Sequence, residues 1–228
     1  MKVSVVIPAY NEEKYIGRCL GSIIGQSVPA DEIIVVDNNS TDKTKEILER
    51  FNIKIVKEKI QGMIAARNRG FNEAKYDIIA RCDADVIVPD DWIERIKKNF
   101  TKKKIDGLSG PVAYTDSPLI TSSPIPSKVY LESLRILSKG NRYLVGMNMS
   151  LTKDIWNKVK NSVSLNDSEV HEDIDLSLNI VKAGGKIGYD PKLIVSSSAR
   201  RIIGKPKSFF IEYPARMIKT FLLNQTDN

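Results

Sequence analysis

The chain is poor in the residues that build covalent cross-links and metal clusters. Two cysteines, Cys19 and Cys82, and one histidine, His171, are all that its 228 residues hold. The cysteines form no CxxC pair and fall in segments patterned as a helix and a strand. That excludes a disulfide framework or zinc ribbon and fits a reducing, cytoplasmic setting. No apolar run reaches 18 residues, so no membrane-spanning helix is expected. The opening VSVVIP is broken by Pro8 too soon to be a signal peptide, and there is no internal repeat. What is in excess is positive charge, +7 overall. Between Arg200 and Lys219 six basic residues (Arg200, Arg201, Lys205, Lys207, Arg216, Lys219) stand against Glu212 alone. Such a cluster suits phosphate-bearing ligands or an anionic lipid surface; nucleic acid is not among the expected partners.

Val3 to Ile7 is β-branched apart from Ser4 and reads as a buried strand. After PAYNEE, apolar residues at Tyr15, Ile16, Cys19, Leu20, Ile23 and Ile24 recur at helical spacing, with Asn11 as the N-cap. A second strand, Glu32 to Asp37, runs into NNST, where Ser40 or Thr41 can cap the next helix. A third strand, Ile53 to Glu58, precedes a helix from Gly62 to Ala74, and a fourth apolar run, Ile78 to Ala80, leads into Asp83 and Asp85. A helix from Asp90 to Phe100 turns Trp92, Ile93 and Ile96 inward. Strands and helices alternating in this way predict βαβ units on a largely parallel sheet. Ligands of such sheets bind beyond the carboxyl ends of the strands, so PAYN, Asp37 to Asp42 and Asp83 to Asp85 are expected along one edge. The second half is less regular. It has a strand at Gly107 to Val112, a Ser/Pro/Thr-rich mobile loop from Ala113 to Ser127 and a helix from Ser127 to Lys139. LVGMNMSLT is read as extended, with Gly146 allowing a close backbone approach. A helix follows at Val170 to Ala183, then a short strand near Lys186 to Tyr189.

Two carboxylates one residue apart at a strand end repel each other unless a cation lies between them, and hard oxygen ligands suit Mg²⁺ or Mn²⁺. The alternative is that one Asp caps a turn and the other is solvated. Asp37 can accept from a base or ribose, or stabilise its own turn. Arg67 is a permanent cation for an anionic ligand, or a surface ion pair. In His171, Glu172, Asp173 and Asp175, helical spacing puts Glu172 and Asp175 on one face and turns Asp173 elsewhere. A carboxylate here can serve as a general base; equally, all three acids favour a helix start. His171 is a candidate third metal ligand.

The segments VVIPAYNEE, VVDNNSTD, AARNRG, DADVIVPDDW, GMNMSLTKD and HEDIDLSLNI, in this order, resemble the family 2 glycosyltransferases of the GT-A fold over roughly residues 3 to 200. The resemblance implies an α/β, Rossmann-like, mostly parallel central sheet flanked by helices. It also implies inverting transfer of a sugar from a UDP-linked or GDP-linked donor to a hydroxyl or lipid-linked acceptor, assisted by Mg²⁺ or Mn²⁺. By position, Pro8, Ala9, Tyr10 and Glu12 border the nucleotide, Asp37 contacts the base, and Arg67 lies near the nucleotide. Asp83 and Asp85 form the metal-binding DxD, with Asp83 also facing the nucleotide, and Asp173 is the base. The QxxRW motif of processive synthases is absent, which implies one sugar per encounter. DADVI departs from the DADLQ of dolichyl-phosphate mannose synthases, and Asn38 and Asn39 depart from the residues usual after the base-contacting Asp.

This reading divides the chain into a catalytic domain, 1–200, and a basic amphipathic tail, 201–228. Within the domain, 1–112 binds the nucleotide sugar and 113–200 forms the acceptor side. In the tail Phe210, Met217, Ile218, Phe221 and Leu222 oppose Glu212, Arg216 and Lys219, and a helix is expected to begin at Pro214. Peripheral contact with an anionic membrane is one expectation; packing on the domain or a dimer contact is the other. Two further readings compete: a catalytically silent nucleotide-sugar-binding protein, and a haloacid-dehalogenase-like phosphatase. The phosphatase pattern has its Asp pair after the first strand, not the fourth.

Overall fold

The computed structural model describes residues 1–115, 123–138, 140–204, 207 and 211–225. Ten strands and nine helices are assigned among the described residues, beginning with β1 (Val3–Ala9), α1 (Ile16–Ile24), β2 (Glu32–Asp37), α2 (Thr44–Leu48), β3 (Lys54–Lys57), α3 (Met63–Glu73), β4 (Ile78–Arg81), β5 (Val86–Ile87) and α4 (Trp92–Lys102). β6 (Gly107–Ser109), β7 (Val112–Tyr114), α5 (Ile125–Leu137), β8 (Met149–Thr152), α6 (Lys153–Val159), α7 (Glu172–Lys182), β9 (Ile187–Tyr189), β10 (Val195–Ser197), α8 (Arg200–Gly204) and α9 (Tyr213–Gln225) follow. The main sheet runs β3-β2-β1-β4-β8-β6-β9. β8 is antiparallel to both β4 and β6, while the other neighbours are parallel, so six strands share one direction. β5, β10 and β7 form a separate small sheet beside the site.

Strand periodicity divides the core into two layers. Val3, Val5 and Ile7 of β1, with Ile78 and Ala80 of β4, face one side, against Leu20 and Ile23 of α1 and Trp92, Ile93 and Ile96 of α4. Val6, Ile34, Val36 and Ile79 face the other, against Phe71 of α3, Trp156 of α6 and Leu176 and Ile180 of α7. Arg81 is two residues beyond Ile79, so the same alternation turns its side chain toward α3 and α7. β1 lies between β2 and β4, and the crossovers diverge there, which opens a crevice at the carboxyl ends of these strands.

Local differences from the sequence expectations have physical causes. Asn11 does not cap α1. It takes φ 54°, and its Oδ1 accepts from Thr41 N at 2.8 Å, tying the first loop to the second. Neither Ser40 nor Thr41 caps α2; Ser40 Oγ accepts from Asn11 N, and Asp42 Oδ1 takes Thr44 N at 2.9 Å. Gly107 to Val112 splits into two strands on different sheets, and Gly146–Asn148 is a 3₁₀ turn before β8. α6 was not expected, although Thr152 Oγ1 caps it by accepting from Ile155 N, and Ile155, Trp156 and Val159 bury one face. Of the loop read as Ala113 to Ser127, residues 116–122 lie outside the described residues, as do Lys205 and Phe210. α9 begins at Tyr213, one residue before Pro214, and packs on α7. Among the described residues no helix is long and apolar enough to cross a membrane.

Candidate active site

A cavity of about 560 Å³ opens at the crevice and has Asp83, Asp85, His171, Glu172 and Asp173 in its wall. A depression of about 660 Å³ near α3 and α6, lined by residues such as Asn72 and Lys153, contains no carboxylate. Of the expected residues, Pro8, Ala9, Tyr10, Glu12 and Asp37 lie at the adjoining ends of β1 and β2 rather than in the cavity wall. β1 pairs with β2 in a register that sets Ala9 beside Asp37. Tyr10, 49% exposed, follows β1 directly. Asp37 is buried, and its Oδ1 accepts from Ser40 N at 3.1 Å, shaping its own turn. Asn38 holds the loop before α3: its Nδ2 donates to Glu58 O and Ile60 O, and its Oδ1 accepts from Gly62 N.

Asp83 and Asp85 sit in the turn between β4 and β5, each 8% exposed. The Cys19 thiol of α1 reaches the Asp83 carbonyl at 3.6 Å and props the turn from below. Arg81 Nη2 donates to Asp83 Oδ1 at 3.1 Å. On the other side of the pair, Arg200 Nε donates to Asp85 Oδ2 at 3.1 Å, and the same guanidinium reaches Glu12 while lying over the Tyr15 ring.

Arg81 is the electrostatic centre, and the sequence reading passed over it between the apolar run Ile78 to Ala80 and Asp83. Its Nη1 lies 2.8 Å from Glu172 Oε1 and 3.8 Å from Asp173 Oδ1. Burial opposes its charge, but Glu172, Asp83 and Asp173 outweigh burial and hold its pKa above the ordinary value. Arg67 is fully buried behind Glu172 and is absent from the cavity wall. Its Nη1 donates to Glu172 O at 3.1 Å and lies 3.5 Å from Oε2, while Nε and Nη2 are taken by Asn68 Oδ1. Burial lowers the Arg67 pKa. Glu172 is likewise penalised by burial, yet Arg81 and Arg67 hold it below the usual carboxylate range.

Asp173 is left with the unbalanced charge. Burial, then the neighbouring Glu172, push its pKa from the ordinary 3.8 to about 7, against the opposing pull of Arg81 and the Gly146 N–H. Gly146 N donates to Asp173 Oδ2 at 2.7 Å, and a Cβ on Gly146 would come within 2.8 Å of Oδ1, so the close approach expected at this glycine is present. Oδ1 itself is buried with no hydrogen-bond partner. A carboxylate in the cavity wall, anchored by a backbone N–H and ionising near neutrality, has the properties of a general base. Helical spacing paired Glu172 with Asp175, but Asp175 supports structure: its Oδ2 accepts from Ser164 N at 2.8 Å and Oδ1 from Asn179 Nδ2 at 3.3 Å. His171 precedes α7 with its ring against Tyr213, and its Nδ1 is buried without a hydrogen-bond partner.

The donor set suits a hard divalent cation. Asp83 and Asp85 offer carboxylate oxygens in the cavity wall, and no third His, Cys, Asp or Glu among the described residues completes a metal cluster with them. With Asp173 ionised, the linked carboxylates Glu12, Asp83, Asp85, Glu172 and Asp173 exceed the guanidiniums Arg67, Arg81 and Arg200 by two negative charges. A divalent ion neutralises that excess.

The chain is similar to several known proteins. Glycosyltransferase AglE of Haloferax volcanii is 37% identical over 121 residues, which is 50% of this chain and 40% of that protein. The chain therefore spans well under two thirds of that relative's length. A dolichyl N-acetyl-alpha-D-glucosaminyl phosphate 3-beta-D-2,3-diacetamido-2,3-dideoxy-beta-D-glucuronosyltransferase of Methanococcus voltae is 25% identical over 237 residues, covering 93% of this chain and 72% of its own. Among solved structures, the mannosyltransferase PcManGT from Pyrobaculum calidifontis, in complex with GDP-Man and Mn²⁺, superposes with a TM-score of 0.75 at 20% identity over 100% of this chain and 65% of that one. The fold is GT-A. The sequence profile of Glycosyl transferase family 2 matches residues 4–152, and the chain belongs to that family.

Proposed function

We propose that this chain transfers a sugar from a nucleoside-diphosphate donor to a hydroxyl of an acceptor, with inversion at the anomeric carbon. The observation that carries this reading is Asp173: one oxygen held by the Gly146 N–H, the other 3.8 Å from Arg81 Nη1, a pKa near 7, and the Asp83–Asp85 pair in the same cavity wall. In a single displacement the acceptor oxygen bonds to the anomeric carbon as the bond to the diphosphate breaks. The hydroxyl proton passes to the Asp173 carboxylate. Arg81 and Arg67 act as positioning residues, since they hold Glu172 and through it the orientation of Asp173. Asp83 and Asp85 would hold Mg²⁺ or Mn²⁺, which supplies Lewis-acid neutralisation of the leaving diphosphate. The ends of β1 and β2, from Pro8 to Glu12 and at Asp37, form the shelf for the nucleoside. The GDP-Man and Mn²⁺ of the solved neighbour support a donor and a metal of this class.

The test is nucleotide release from a panel of UDP-sugars and GDP-sugars with Mn²⁺ or with chelator. Release from at least one donor, abolished by chelator and by Asp85→Ala, is the expected result. No release from any donor, or release indifferent to both treatments, would refute the metal-assisted reading.

A further inference from the structure

The depression of about 660 Å³ beside α3 and α6 shares no lining residue with the cavity that holds Asp173. Asn68 and Asn72 stand one turn apart on α3, and Lys153, Asn157 and Lys160 come from α6 and its C-terminal end. The two amides on α3 have a fixed sense, because guanidinium and indole nitrogens only donate. Asn68 Oδ1 accepts from Arg67 Nε at 3.0 Å and from Nη2 at 2.9 Å, and Asn72 Oδ1 accepts from Trp156 Nε1 at 2.9 Å. Both oxygens are thereby engaged by the protein, and both NH₂ groups are left for an acceptor in the depression.

Positive charge adds to these donors. Lys153 Nζ donates to Phe71 O at 2.9 Å and to Asn72 O at 3.2 Å, which holds the ammonium beside the amides with one hydrogen left to give. Burial and the nearby Lys160 charge lower the Lys153 pKa, so two like charges act on each other at this wall and an anion relieves both. No Asp or Glu lines the depression. Glu73, the acid of α3, is taken by Lys54 at 2.7 Å and Arg69 at 2.9 Å. Trp156 is 1% exposed and offers no ring face on which a sugar could stack. Fixed donors and positive charge without an aromatic platform select an anion over a neutral glycan.

We propose that this depression is a second ligand site, which takes a small phosphate monoester on the NH₂ groups of Asn68 and Asn72 and the ammoniums of Lys153 and Lys160. Such an ester carries close to two negative charges and three acceptor oxygens, which match two ammoniums and two amides; a lone carboxylate would leave half of them unused. The site is joined to the catalytic network through one amide. Asn68 holds Arg67, and Arg67 Nη1 donates to Glu172 O at 3.1 Å and lies 3.5 Å from Glu172 Oε2. The site goes beyond the transferase reading and does not depend on it.

The test is a titration of the ¹⁵N-labelled full chain with glycerol 3-phosphate, succinate or glycerol at low salt and about pH 7.5, where the ester is a dianion. The side-chain NH₂ signals of Asn68 and Asn72, the latter assigned by its loss in Asn72→Asp, should move with glycerol 3-phosphate and saturate with a Kd on the order of 1 mM. The Arg67 Nε–H signal should move with them, because it bonds the same amide as the ligand. Asn72→Asp keeps the oxygen that accepts from Trp156 and replaces the donor by a charge that repels the ester, so binding should weaken at least about tenfold with tryptophan fluorescence unchanged. Lys160→Gln, at an exposed position, should weaken it about three- to tenfold. An equal response to glycerol, tighter binding of succinate, or full affinity in both variants would overturn the phosphate site. Shifts confined to Gly146 and its neighbours would place the ester in the other cavity and overturn it as well. A fixed Arg67 signal while Asn68 moves would overturn the link to Glu172.

Discussion

Replacing Asp173 by Asn should change how the stability of the fold depends on pH, before any substrate is added. The Asp173 carboxyl has an ordinary pKa of 3.8 in the unfolded chain and about 7 in the fold. Between those values the folded state binds a proton that the unfolded state does not, so stability is greatest at low pH and declines as pH rises toward 7. Each pH unit in this window corresponds to about 1.4 kcal/mol, or about 3 kcal/mol from pH 5 to pH 7. The side chain keeps 14% of its surface exposed, and water screening at that surface reduces the expected difference to about 1–3 kcal/mol. Asn keeps an oxygen to accept from the Gly146 N–H but cannot ionise. The His171 pKa, lowered by burial, changes stability in the opposite sense but is common to both proteins. Denaturant midpoints of wild type and Asp173→Asn from pH 5 to 8 should therefore diverge, with the variant gaining. In melting temperature the gap is about 3–10 °C for a domain of this size. Parallel curves would refute the assignment of the raised pKa to Asp173.

Three further outcomes follow from the same network. Arg81→Met leaves Asp83, Glu172 and Asp173 without their shared cation and should destabilise the fold by about 3–5 kcal/mol; a urea midpoint within error of wild type contradicts the network. Gly146→Ala inserts a Cβ within 2.8 Å of Asp173 Oδ1 and should cost about 1–3 kcal/mol. It should also raise the pH midpoint of transfer, because the N–H that favours the ionised base is displaced. Arg200→Ala removes a guanidinium that competes with a metal for Asp85 Oδ2. Mn²⁺ affinity by electron paramagnetic resonance should rise about three- to tenfold, and a weaker affinity would show that Arg200 supports the metal instead.

The layered sheet and the convergence of its loops were legible because strand alternation, helical spacing and the switch-point rule depend on local pattern. The residues that tune the site were less so. Arg81 sits in phase with Ile79, so period 2 sends it toward α7, but nothing local says that α7 will carry Glu172 and Asp173. Arg200 reaches Asp85 and Glu12 from 115 and 188 residues away along the chain. Helical spacing sets Asp175 on one face with Glu172, but a shared face says nothing of what lies opposite; the Ser164 N–H does. Asn11 was read as a helix cap, but the partner of its side chain is a second loop. In α6 the cap and the apolar spacing were both present in TKDIWNKV and were overlooked.

In the proposed reaction Asp173 takes the acceptor proton as the sugar moves with inversion. The most direct measurement is the pH dependence of kcat/KM for transfer by wild type and Asp173→Asn, with the anomeric configuration of the product read by NMR. Wild type should rise to a plateau above about pH 7 and give the inverted anomer, and Asp173→Asn should lack that limb and run about 10²- to 10⁴-fold slower with nucleotide affinity retained. Full activity in Asp173→Asn, or a product of retained configuration, would contradict the account.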